Sequence, residues 1–162
     1  MNLQEKYEGE KIVKDLFLGA SIHEVEFEIS AGHAKLVFWP ENKKIEAQDG
    51  VYLYIPSIVQ LNESSLKEKG IEKADIPMLQ TYQILIDVIQ QKVVEAELGE
   101  RSPHLILTFE SGNVVFIKGY HDSNASWEAG RCGKKQQPII AAQPAGVLHI
   151  YEGAFELAGA GS

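Results

Sequence analysis

Residues 19–42 recur at 90–113 with no gap and a constant offset of 71. In that register Glu24 meets Glu95, Glu26 meets Glu97, His33 meets His104, Leu36 meets Leu107, Phe38 meets Phe109 and Asn42 meets Asn113. The pairs Ile22/Val93 and Phe27/Leu98 keep their apolar character. A repeat of this length implies one supersecondary unit used twice, and it constrains architecture more than chemistry.

Within the first copy the residues alternate. His23, Val25, Phe27 and Ile29 fall on one side, and Ile22, Glu24, Glu26 and Glu28 on the other. Period two over this length predicts a half-buried strand with a glutamate ladder facing solvent. Gly32 turns the chain, Ala34, Leu36 and Phe38 then alternate with His33, Lys35 and Val37, and Pro40-Glu41-Asn42 closes a hairpin. The second copy predicts Val94, Ala96 and Leu98 inward and Val93, Glu95 and Glu97 outward, with Leu105, Leu107 and Phe109 inward after a turn at Ser102-Pro103. Ser111-Gly112-Asn113 is a tight-turn signal leading to a third strand over 114–118. The corresponding strand of copy one is predicted over 51–61, where Tyr52 and Tyr54 share one face and Pro56 marks an edge or an end.

Between the copies, 62–73 is polar and reads as a loop. Asp75 followed by Pro77 resembles an N-cap with proline in the first turn, and Met78, Leu79, Tyr82, Leu85, Ile86 and Ile89 share a helical face. The spacing favours a helix over 77–89, with a strand as the alternative for the β-branched 84–89, and a weaker helical counterpart falls near 10–18. Beyond 119 a loop precedes a short strand near 125–129 and a last strand over 147–151. The expected fold class is α+β: a single domain over 1–152 of two repeated antiparallel β units forming a sheet or partial barrel, with one helix between them. Residues 153–162, ending Ala-Gly-Ala-Gly-Ser, read as a flexible tail.

A net charge of −8 argues against nucleic acid, because phosphate neutralisation needs clustered cations and Lys134-Lys135 is one short pair. A lone cysteine excludes an internal disulfide framework. The first residues lack a signal-peptide core, and no run nears the ~20 apolar residues of a membrane span. A cytoplasmic address with no membrane partner is expected. His23, His33, His104, His121 and His149 are scattered without metal-ligand spacing, so neither metal nor cofactor is expected. Cys132 sits in a Gly-rich loop beside cations, and no Gly-x-Ser-x-Gly elbow is present.

The run 105–113, followed by Gly119-Tyr120 and Ser126-Trp127-Glu128, resembles a hairpin of small bacterial domains of uncharacterised function. Some small acidic proteins of that character are immunity partners of secreted polymorphic toxins. The resemblance spans 93–128, implies a toxin as partner and carries over no catalytic residue. The reading is a non-catalytic protein-binding module for a basic partner. Its contact residues are Glu24, Glu26, Glu28, Glu95 and Glu97 on the strand faces and Tyr52 and Tyr54 at an edge that also permits homo-oligomers. The alternative is a small-ligand-binding or enzymatic domain with a pocket between the repeats, near His33 and His104.

Overall fold

The structure, a computed structural model, describes residues 1–28, 30, 32–41, 50–57, 78–133 and 136–152. The predicted loop at 62–73, the cap at Asp75 with Pro77, the Lys134-Lys135 pair and the tail at 153–162 lie outside the described residues. In chain order the elements are α1 (Leu3–Phe17), β1 (Ser21–Glu28), β2 (His33–Trp39), β3 (Val51–Ile55), α2 (Met78–Ile86), β4 (Val93–Leu98), β5 (Leu105–Phe109), β6 (Val114–Ile117), β7 (Trp127–Arg131), β8 (Gln137–Gln143) and β9 (Val147–Ile150). Six strands form one antiparallel sheet in the order β1-β2-β3-β7-β8-β9, and β4-β5-β6 form a second; no barrel closes. The class is α+β and rich in strand. No helix among the described residues is long and apolar enough to cross a membrane.

The expectation of one helix is corrected by a fifteen-residue α1 at the N-terminus. A capping box starts it: the Asn2 side chain accepts from the Glu5 N–H and the Glu5 carboxylate accepts from the Asn2 N–H, both at 2.8 Å. Ile12, Val13, Leu16 and Phe17 then bury one face at helical spacing.

The repeat is carried through in the register of the ladders. In the first hairpin Ile22 pairs with Phe38, Glu24 with Val37, Val25 with Leu36, Glu26 with Lys35 and Phe27 with Ala34. Adding 71 to each number gives the pairs of the second: Val93 with Phe109, Glu95 with Thr108, Ala96 with Leu107, Glu97 with Ile106 and Leu98 with Leu105. Both hairpins also carry a bulge at the same place, at His23 and at Val94. The third strands correspond at a smaller offset: Lys35 pairs with Tyr54 as Ile106 pairs with Phe116 (116 − 54 = 62), so the connection before β3 is nine residues longer (71 − 62 = 9). Shifted back by 71, α2 falls at 7–15, inside α1. The repeated unit is therefore αβββ, and β7, β8 and β9 extend the first unit's sheet.

The bulge corrects one part of the strand reading. An extra residue reverses the facing of everything before it. Ile22 and Val93, expected to face outward with the glutamates, are buried instead, while His23 and Val94 are exposed. The Glu faces themselves are unaffected because they follow the bulge.

Where the units meet, an isolated antiparallel bridge joins Ser21 to Lys92, which are equivalent to each other (92 − 21 = 71). The Gly19 N–H donates to the Val93 carbonyl and the Gln90 N–H to the Ile22 carbonyl, each at 2.9 Å. These bonds exchange when the two copies are exchanged (19 + 71 = 90; 93 − 71 = 22), so an approximate twofold axis passes through the bridge. Gly19 and Gln90 both have a left-handed backbone, at φ 78° and 66°. Each helix then covers the first strand of the other unit. Gly9 of α1 lies so close to Leu98 that an added Cβ would stand 2.7 Å from its Cδ1, and Tyr82 of α2 packs on Phe27 with ring centroids 4.2 Å apart. Phe27 and Leu98 are themselves equivalent positions, and one continuous apolar cluster unites the two units.

Candidate functional site

The glutamates singled out from the sequence all reach solvent. Glu24, Glu26 and Glu28 are exposed on β1, and Glu95 and Glu97 on β4. Within each unit the first two occupy equivalent register positions, opposite Val37 and Lys35 in one hairpin and Thr108 and Ile106 in the other. β1 is an outer strand of its sheet. Charged side chains along such a strand oppose unwanted edge pairing, a structural use that coexists with a binding one.

Tyr52 and Tyr54 do share a face, but β3 is not an edge. It lies between β2 and β7, pairing Tyr52 with Val37 and Gly130, and Tyr54 with Lys35 and Glu128. The partner β7 is supplied from more than seventy residues downstream, which local pattern does not reveal. Tyr52 is 1% exposed and its hydroxyl donates to Glu128 Oε1 at 2.7 Å. Burial, and then the hydrogen bond to Glu128, push the Tyr52 phenol far above its usual range. Tyr54 is half-buried and stays at the surface.

His33 and His104 keep equivalent aromatic contacts. His33 stands edge-on to Tyr54 with centroids 5.3 Å apart, and His104 tilts against Phe116 at 5.1 Å. They are not brought together, because the antiparallel bridge at Ser21 sends the two hairpin turns in opposite directions. Their polar partners also differ. His33 Nε2 meets Glu28 Oε2 at 2.7 Å, whereas His104 Nδ1 accepts the Gly119 N–H at 2.8 Å. A cavity of about 350 Å³ opens at the first of these, lined by Glu26, Phe27, Glu28, His33, Lys35 and Tyr54. The Phe27 ring also packs on Tyr82. Among the described residues no group of three or more His, Cys, Asp or Glu side chains is placed to hold a metal ion.

Sequence reasoning passed over Lys35, which belongs to the cavity, and Glu128, which holds Tyr52. The signal for Lys35 was its place in the alternation beside His33; Glu128 gave none, since its contact spans 76 positions. The Gly119 and Ser-Trp-Glu elements have structural tasks. Trp127 Nε1–H donates to the buried Pro103 carbonyl at 2.8 Å, and a Cβ on Gly119 would stand 1.9 Å from that oxygen. Cys132 is half-buried beside the β2–β3 ladder; burial raises its thiol, with Lys35 lowering it and Glu24 raising it. No family model, no curated protein and no solved structure matches the chain.

Proposed function

We propose that the chain is a non-catalytic protein-binding module whose partner is basic, and that the partner is a toxin which it neutralises. The observation that carries this reading is the pair of acidic strand faces: Glu24 and Glu26 on one hairpin and Glu95 and Glu97 on the other, all exposed, in one register on two copies of a unit. Folding the hairpins requires an alternation of apolar and polar residues, but it does not require the outward residues to be glutamate. A net charge of −8 adds a long-range field of the same sign, which raises the encounter rate with a cationic surface and loses force with salt. Tyr54, half-buried beside Glu26 and Lys35, adds an aromatic contact; Tyr52, buried, does not.

The test is co-purification from the native host at low salt and native expression, read by mass spectrometry. A stoichiometric basic protein is expected, released by raised salt and lost when Glu24, Glu26, Glu95 and Glu97 are all changed to Lys. Recovery of no stoichiometric protein overturns the reading.

A further inference from the structure

The duplication supplies its own control. A residue that the αβββ architecture demands should recur at the equivalent place, and one kept for another purpose need not. Around the cavity of the first unit the comparison is uneven. Glu26 is matched by Glu97 and His33 by His104, but Lys35 is matched by Ile106, Tyr54 by Phe116 and Glu28 by Gly99. The last change takes a side chain away from the second site. A Cβ on Gly99 would stand 2.6 Å from the Ser102 carbonyl oxygen and 2.9 Å from the His104 ring, so no side chain can stand there without moving backbone. The first hairpin thus holds an open polar recess where its copy has a glycine against backbone.

We propose that this recess is a binding site for a single basic side chain, arginine above all, presented by the protein partner; the inference rests on the protein-binding reading and locates its anchor. Charge selects the ligand class. Two carboxylates, Glu26 and Glu28, line the recess against the one ammonium of Lys35, which leaves its lining acidic. His33 engages Oε2 of Glu28 and fixes its orientation. The other carboxylate oxygen is then set for a guanidinium N–H, whose planar array of donors suits a carboxylate. Tyr54 provides an aromatic wall that attracts a cation. The volume, about 350 Å³, is at the small end of ligand pockets and admits one long side chain more readily than a larger molecule.

The experiment is an NMR titration of the full chain with N-acetyl-arginine amide, with N-acetyl-glutamate amide as the opposite-charge control. Saturable shifts are expected at Glu28, His33 and Tyr54, with none at Gly99, His104 and Phe116, and none with the glutamate compound. Glu28→Gln should weaken the arginine compound about tenfold or more, the usual loss for a charged hydrogen bond. Glu28 is exposed, so retained spectral dispersion should show this variant folded. Equal shifts in both units, no saturation, or an unchanged affinity in Glu28→Gln overturns the assignment. A host partner that binds Glu28→Gln undiminished removes the recess as its anchor and leaves the protein-binding reading intact. Saturable arginine binding in a chain that recovers no partner does the reverse.

Discussion

Gly19 and Gln90 do the same work at equivalent places, yet only one is suited to it. A left-handed backbone costs an L-residue about 1 kcal/mol relative to glycine. Space around the Gly19 Cα is open, so the cost of Gly19→Ala is conformational alone. Gly19→Ala should lower stability by about 1 kcal/mol, while Gln90→Gly should raise it by about 0.5 kcal/mol after the entropy of the unfolded glycine is counted. Urea midpoints of the two variants check both signs. Tyr52 gives a pH signature. Its folded phenol holds a proton more tightly than the unfolded one, so its contribution is fully present below the unfolded value near pH 10 and is lost as pH rises beyond it. Tyr52→Phe should lose stability at neutral pH, because Glu128 loses its donor, but should decline less steeply than the wild type above about pH 10. Denaturation series across that range decide it.

At the scale of elements, the bulge offers the cleanest test of the repeat. Val93 is 1% exposed and Val94 47%, the reverse of the facing that simple alternation predicts. Val93→Ala should therefore cost about 1–3 kcal/mol and Val94→Ala well under 1 kcal/mol, read by thermal or urea unfolding. Hairpins, third strands and the presence of α2 were legible because each leaves a period in the sequence, although Ile86, read onto the buried face of α2, is 45% exposed. β8 was not. Its burial runs without interruption over Ile139, Ile140, Ala141 and Ala142, and a strand covered on both faces keeps no alternation to detect. The start of α1 did leave a signal, the Asn2-x-x-Glu5 box, which outweighs the mixed polarity that follows. Of the candidate site, the glutamates were legible as a polar alternation. The recess was not, because it depends on Lys35 and Tyr54 arriving beside Glu28 from two further strands.

For the whole molecule, the consequence lies in how the helices are placed. α1 lies on β4 and Tyr82 of α2 packs on Phe27 of β1, so each unit lends its helix to the other, although Phe17 of α1 also packs on Phe38 of its own β2. Such reciprocity ties completion of either half to the presence of the other, and makes long-range contacts a late condition of folding. It is also the arrangement of an exchanged dimer, in which identical units trade an element about a twofold axis. Expressed as separate chains, 1–57 and 78–152 should each lack fixed tertiary structure and should recover it on mixing, with near-ultraviolet circular dichroism as the readout. A fragment that folds alone would deny the exchange. The bridge at Ser21 and Lys92 then gains a different meaning: it stands where the subunit interface of such a dimer would stand, with both halves held in one chain.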